Sequence, residues 1–412
     1  MHEGITVLLS DSNIADILRI SKFTVNRWIQ NKTYKTQTVN GKIYFDSKDF
    51  SHIKEIQEIN KSAWDEELDV TPLRPYKSLE LFAGAGGLAL GLEMAGFSHI
   101  FLNEIDHDSC QTLIRNRWKW NIVEGDIHSI DFTRFRDSVD LLSGGFPCQA
   151  FSYAGNGEGF NDIRGTLFFE LARAVKEINP KIVLCENVRG LLTHDNGKTF
   201  SVIKKTIHNL GYTLTEPRVL QAILYKVPQK RERLILVAIR NDLAEKHTFT
   251  YPSPYYKIMT VRDALYKGEL FETDVPESQG IKYNKNKQKI MELVPMGGYW
   301  KDLPIQLQEE YMKGSFTNSG GKTGMARRLS LDEPSLTLTC SPSQKQTERC
   351  HPIETRPLTI REYARIQTFP DDWKFCGSIS SQYRQIGNAV PVNLAHAVGR
   401  SLVRLFNAIE QS

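Results

Sequence analysis

Of the six cysteines, at 110, 148, 185, 340, 350 and 376, Cys148 stands where a thiol could react. It follows Gly144-Gly145-Phe146-Pro147 and precedes Gln149-Ala150-Phe151-Ser152, just past an apolar run, Val139–Ser143, that reads as a strand. A thiolate at a strand end, stiffened by Pro147 and given room by glycines, suits nucleophilic catalysis, which splits one hard step into easier ones. Glu186 closes the next β-rich run, in Cys185-Glu186-Asn187-Val188, and is a candidate general acid. Gln229-Lys230-Arg231-Glu232-Arg233 opens a further strand. Arg231 and Arg233 flank Glu232 and are expected on one face, where guanidinium groups would hold a carbonyl and favour a thiolate. The cysteines form no CxxC pair, so neither a zinc site nor a thioredoxin-like motif is indicated, and no metal is expected.

A second constellation suits a nucleoside-bearing cofactor. Leu81-Phe82-Ala83-Gly84-Ala85-Gly86-Gly87 runs from a strand through a glycine-rich turn toward a helix. Gly84 and Gly86 let the backbone pass close to a ligand at the carboxyl end of the first strand. The pattern is FxGxGG, not GxGxxG, and no Walker lysine follows. Glu104, after Phe101-Leu102-Asn103, is placed for ribose hydroxyls, and Asp126, in Gly125-Asp126-Ile127, for an adenine amino group.

Positioning these groups takes an α/β scaffold. The chain has 412 residues, enough for two or three domains, and its 40% hydrophobic content supports packed cores. A net charge of +4 mildly favours a polyanionic partner. No apolar run approaches the ~20 residues of a membrane span, and the first residues lack a signal-peptide pattern, so a cytoplasmic protein without membrane contact is expected. Residues 76–250 alternate β-rich runs (Lys77–Phe82, Ile100–Asn103, Val139–Ser143, Ile182–Cys185, Arg233–Ala238) with helical ones (Leu88–Ala95, Leu167–Glu177), which predicts a parallel sheet. Residues 251–355 lose the alternation, 356–412 return to helical patterning, and 61–75 read as a polar linker. Residues 1–60 predict two short helices, capped by Ser12 and Ser21, then a hairpin at Val39-Asn40-Gly41-Lys42. This unit resembles the small winged helix-turn-helix domains of excisionase and MerR-type regulators. Its second helix would offer Lys22, Thr24, Asn26, Arg27 and Gln30 to nucleic acid; the alternative is a structural cap.

Taken together, the blocks resemble the bacterial DNA (cytosine-5)-methyltransferase family. They occur in the family's order: Leu81-Phe82-Ala83-Gly84-Ala85-Gly86-Gly87, Asn103-Glu104, Gly125-Asp126-Ile127, Gly145-Phe146-Pro147-Cys148-Gln149, Glu186-Asn187-Val188, Gln229-Lys230-Arg231-Glu232-Arg233 and Arg384-Gln385-Ile386-Gly387-Asn388-Ala389-Val390-Pro391. The resemblance implies a Rossmann-like S-adenosylmethionine-dependent core of residues 76–250, an irregular target recognition domain of 251–355, and a segment 356–412 that folds back onto the core. It implies that Cys148 adds to carbon 6 of a flipped-out cytosine, that Glu186 meets ring nitrogen 3, and that Arg231 and Arg233 support the pocket. Phe82, Gly84, Gly86, Glu104, Ile105, Asp126, Ile127, Pro147, Leu167, Asn388 and Ala389 fall at cofactor-site positions, and Gln149 and Ser152 on a loop that closes over the base. Lys282, Lys285, Lys287, Lys289, Arg327 and Arg328 are candidates for reading DNA within 251–355. The expected partner is double-stranded DNA, met by a monomer that becomes nucleoid-associated when bound, in a restriction-modification system whose endonuclease would act on the same site without direct contact. Two other readings stay open: an RNA cytosine-5 methyltransferase of the same fold, and a DNA-binding regulator with an inactive core.

Overall fold

The structure is a computed structural model and describes residues 7–39, 41–146, 167–317 and 322–412. The chain divides into two units, one of Met1–Asp69, Gln221–Arg231 and Pro252–Thr368, the other of Val70–Leu220, Glu232–Tyr251 and Phe369–Ser412.

The first unit begins with strand β1 (Leu8–Ser10) and helix α1 (Asp11–Leu18), followed by α2 (Lys22–Gln30), β2 (Thr36–Val39) and β3 (Lys42–Asp46). Ser10, and not the expected Ser12, caps α1. Its Oγ accepts from Asn13 N, and Asn13 Oδ1 accepts from Ser10 N, both at 3.1 Å. The third residue along decides between the two serines: Asn13 can close this reciprocal box with Ser10, whereas Ala15 offers Ser12 nothing. Ser21 caps α2 as expected, and Val39 pairs with Lys42 across the hairpin. Trp28 packs within its own small core, 5.2 Å from the Tyr34 ring, which lies 4.3 Å from Phe50. Within residues 61–75, read above as a linker, Trp64–Leu68 is helical. Trp64 is buried and lies 5.2 Å from the Tyr255 ring, while Glu67 accepts from Ser253 N at 3.2 Å. Beyond Pro252 lie short helices at Val261–Leu265, Lys285–Glu292 and Ile305–Met312, of which the last two contribute to a core that includes Met291, Trp300, Met312 and Cys350.

The second unit carries the large sheet. Its strands are β4 (Tyr76–Leu81), β5 (Phe97–Glu104), β6 (Ile122–Glu124), β7 (Leu141–Gly144), β8 (Ile182–Asn187), β9 (Tyr212–Leu214), β10 (Arg218–Gln221) and β11 (Glu232–Arg240). The order is β10-β11-β8-β7-β4-β5-β6, with β9 also on β11. β4 through β8 pair in parallel. β11 departs from the expected parallel sheet: it runs antiparallel to β8, Leu234 opposite Asn187 and Ile239 opposite Ile182. Leu79, Leu81, Phe101, Leu142, Val183 and Leu236 of these strands share one core with Phe168 and Leu171.

The helix Gly87–Met94 and the terminal helix Val392–Glu410 approach at near backbone contact. A Cβ on Gly87 would lie 2.2 Å from the Val390 carbonyl oxygen, one on Gly91 2.4 Å from Ala395 Cβ, and one on Gly399 2.7 Å from Ala95 Cβ. Among the described residues no helix is long and apolar enough to cross a membrane. Because the Gly87 contact is with backbone, which cannot swing aside, Gly87→Ala is expected to destabilise the protein by about 1–3 kcal/mol through overpacking; the urea midpoint measures it.

Candidate functional site

The cofactor candidates line the carboxyl ends of β4, β5 and β6. Glu104 ends β5 and is 9% exposed. Its Oε2 accepts from Gly84 N at 2.7 Å, and its Oε1 from Ile105 N and Asp106 N, both at 2.8 Å. A carboxylate has about four acceptor sites, so capacity for a ligand hydroxyl remains. Phe82 adopts φ 57°, a left-handed conformation that a bulky residue holds only at a cost of about 1–3 kcal/mol. Gly84, at φ 54°, and Gly125, at φ 149°, have nothing within 4 Å of where a Cβ would be, so both face open space. Ile105, next to Glu104 in sequence, is 69% exposed, an apolar surface left uncovered. Asp126 is exposed and receives His128 N at 3.0 Å and His128 Nδ1 at 2.6 Å. Those hydrogen bonds, the backbone one first, hold its carboxyl below the usual range. Open backbone, a buried carboxylate and an exposed aliphatic side chain together fit a nucleoside.

The remaining cofactor candidates are more enclosed. Ile127 is buried in the core, and Phe82 and Leu167 pack against it. Gly86 is a packing residue, since a Cβ there would meet Leu113 Cδ2 at 2.7 Å. Asn388 is exposed at the end of helix Ile379–Asn388, and Ala389 follows it, buried. That helix is fastened to the helix after β5: Thr112 Oγ1 donates to Gln385 Oε1 at 2.7 Å, and Arg384 reaches Asp106 at 2.8 Å.

The catalytic candidates divide. Pro147, Cys148, Gln149 and Ser152 lie outside the described residues, but the chain leading to them is well held. Phe146 sits in the core with its ring 5.3 Å from Phe168, and its carbonyl accepts from Asn187 Nδ2 at 2.8 Å. Arg233 Nε meets Glu186 Oε1 at 2.5 Å, and both residues are 9% exposed. Gly145 leaves room for this pair, because a Cβ there would stand 2.9 Å from Glu186 Oε2. Arg231 belongs to the other unit, where it is buried and its Nη1 donates to the Leu338 carbonyl at 3.1 Å. The strand taken to start before Arg231 is interrupted there, so alternation alone does not set the two arginines on one face.

Two positioning residues went unassigned above. Asn187 anchors Phe146, and Asn103 Nδ2 ties β5 to β6 through the Val123 and Gly125 carbonyls at 3.1 and 3.0 Å. Each directly adjoins a candidate glutamate at a strand end, the one signal by which sequence could have found it.

Several expected nucleic-acid contacts instead face inward. Lys287 pairs with the fully buried Glu348. Arg327 Nη1 donates to the Gly297 carbonyl at 2.7 Å. Arg328 donates to the Val294 and Met291 carbonyls at 2.8 and 2.6 Å. These three are framework of the first unit, whereas Lys282, Lys285 and Lys289 are exposed. In the N-terminal region Asn26, Arg27 and Gln30 are exposed, but Lys22 pairs with Glu333 and Lys42 with Asp332.

The family description of the C-5 cytosine-specific DNA methylases matches residues 76–404. The chain is 60% identical over 402 residues to Type II methyltransferase M.Eco47II of Escherichia coli, covering 97% of this chain and 96% of that protein. It is 57% identical over 399 residues to Type II methyltransferase M.PspPI of Psychrobacter sp. (strain TA137), covering 96% and 95%. Among solved structures, DNMT2 of Spodoptera frugiperda shares the fold at a TM-score of 0.55 and 17% identity, over 81% of this chain and 99% of that one.

Asn187→Ala would leave the buried Phe146 carbonyl without its side-chain donor, and is expected to cost about 1–3 kcal/mol, read from chemical denaturation.

Proposed function

The chain belongs to the C-5 cytosine-specific DNA methylase family, and from that premise we propose how its residues carry the reaction and in what setting. It is a DNA (cytosine-5)-methyltransferase of the Type II class, and S-adenosylmethionine is its methyl donor. Cytosine carbon 5 is a weak nucleophile. In the proposed route the Cys148 thiolate adds to carbon 6, which makes carbon 5 an enamine-like carbon able to take a methyl group. Loss of the carbon 5 proton and expulsion of the thiolate then restore the aromatic ring. Glu186 shares a proton with ring nitrogen 3, making carbon 6 more electrophilic. Arg233 holds that carboxyl and meets the ring carbonyl. Gln149 and Ser152 sit on the loop that closes over the base, which has to leave the helix because its carbon 6 cannot be reached inside the stack.

One observation carries this reading: the buried Glu186–Arg233 pair, 2.5 Å apart on adjoining strands, beside the anchored Phe146 that leads to Cys148. Bound S-adenosylmethionine supplies an electrophilic methyl group. Glu104 would accept its ribose hydroxyls, Asp126 its adenine amino group, and Ile105 and Phe82 would pack on its rings. Gly84, Pro147, Leu167, Asn388 and Ala389 would complete the site, with Gly86 and Ile127 acting from behind through packing. In the setting we propose, the protein acts as a cytoplasmic monomer on double-stranded DNA, alongside an endonuclease for the same site; the Type II names of its relatives support the restriction-modification part of this. Target choice is assigned to residues 251–355, and the exposed Asn26, Arg27 and Gln30 of α2 would add contacts to the DNA backbone.

Cys148→Ser is expected to abolish methyl transfer while keeping DNA and cofactor binding, and wild type is expected to form a covalent adduct with DNA containing 5-fluorocytosine. An active serine variant, or an adduct mapped to another cysteine, rules the route out. Glu104→Ala is expected to weaken S-adenosylmethionine binding by about 1–3 kcal/mol; unchanged affinity by calorimetry would remove Glu104 from the site.

A further inference from the structure

Residues Gln221–Arg231 belong to the unit that contains the N-terminal region, although the chain on either side of them belongs to the other unit. Both ends of this excursion are held by adjacent residues of α1. Gln221 Nε2 donates to the Ile17 carbonyl at 3.0 Å, and Lys230 Nζ pairs with Asp16 Oδ1 at 2.8 Å. The ends also close on each other, Ala222 N donating to the Arg231 carbonyl at 2.8 Å. The recognition segment grips the same stretch from its own side. Leu338 N donates to Gln229 Oε1 at 2.9 Å, and Thr337 Oγ1 to the Lys230 carbonyl at 2.5 Å.

Asp16 is mostly buried, and its Oδ2 has no hydrogen-bond partner among the described residues. Lys230 is therefore the main compensation for burying that carboxylate, and such a pair fixes geometry even where it adds little net stability. Glu333 joins the junction, 3.6 Å from Lys230 and paired with Lys22. Asp332 beside it receives Lys42 at 3.3 Å and Arg262 at 3.0 Å.

We propose that α1 is a positioning element for the strand that carries Arg233: by gripping Gln221 and Lys230, Asp16 and Ile17 fix the chain just before β11 begins, and through the chain the start of the strand that presents Arg233. The N-terminal region then serves methyl transfer itself and is not an appendage to a complete enzyme. Asp16 is a positioning residue that acts through Lys230. The proposal rests on the assignment of Glu186 and Arg233 to the reacting base.

The test uses full-length protein and compares Asp16→Asn, Asp16→Glu, Lys230→Gln and the double variant Asp16→Asn/Lys230→Gln. Single-turnover methyl transfer, DNA KM, S-adenosylmethionine affinity and melting temperature are measured for each. Asp16→Asn is expected to slow transfer on the order of ten- to a hundredfold, as small misplacements of catalytic groups do, with cofactor affinity unchanged. Asp16→Glu should recover most of the rate, and the double variant should be no slower than Lys230→Gln alone, because one interaction is being removed twice. Lys230→Gln keeps the test open if Asp16→Asn does not fold. Wild-type rates in both Asp16→Asn and Lys230→Gln would overturn the proposal. So would a parallel loss of rate, cofactor affinity and melting temperature, which marks a purely structural contact. Glu186→Gln, run alongside, separates the two failures: if it transfers methyl groups at the wild-type rate, the site reading is wrong, whereas if it is inactive while the Asp16 and Lys230 variants are normal, only the positioning role falls.

Discussion

In a parallel sheet flanked by helices, ligands gather at the carboxyl ends of the strands. A strand added in parallel would bring only its own last residues there. β11 is antiparallel to β8, with Leu234 opposite Asn187 and Ile235 opposite Glu186. Its first residues therefore stand at the edge where β8 ends, and Arg233 meets Glu186 across two neighbouring strands. The other side of this edge depends on that pairing. A buried carboxylate needs a charged partner, Gly145 is required to admit the pair, and Asn187, the residue after Glu186, fixes the Phe146 carbonyl that launches the chain toward Cys148. Reversing β11 would leave Glu186 buried without Arg233.

β4 lies next to β7, so the glycine-rich loop after β4 and the chain that leaves β7 toward Cys148 start from neighbouring strands. Each is restrained by a polar group at the end of another strand. Glu104 of β5 accepts from Gly84 in the first loop, and Asn187 of β8 donates to Phe146 in the second. The terminal helix closes the cofactor side from the far end of the sequence. It reaches the start of helix Gly87–Met94 only because Gly87, Gly91 and Gly399 present no side chains at the crossing. Close helix contact thus does for Asn388 and Ala389 what hydrogen bonds do for the loops.

How far the sequence revealed this depended on how local each determinant is. The strands carrying Glu104 and Glu186, and the glycine-rich turn after β4, were legible because apolar runs and turn residues lie within a few positions of one another. The direction of β11 was not, since its own run of apolar residues is the same in either orientation. The capping of α1 turned on Asn13, a residue that a rule based on serine alone passes over. Lys287, Arg327, Arg328 and Lys22 all read as solvent-facing cations, because a charge looks free when its partner is distant in sequence. Glu348, the carbonyls of residues 291–298 and Glu333 become visible only once the chain is folded.

The helix-turn-helix outline of the N-terminal region does not by itself make it a DNA-binding module. An autonomous DNA-binding module keeps its cations for phosphates, and its apolar residues close among themselves. Here Trp28, Tyr34, Phe45 and Phe50 do form a private core, but Trp64 is spent on Tyr255 and Tyr225, and Glu67 on Ser253. The contacts of Lys22 and Lys42 are exposed ion pairs, worth little individually and screened by salt. The aromatic packing and the buried Asp16 are not so easily screened. The attachment therefore has an inner part, which ionic strength leaves in place, and an outer part, which it can loosen. What α2 leaves exposed is Asn26, Arg27 and Gln30, a narrow surface for a module that binds DNA alone, on a region already fastened to residues of the 251–355 segment.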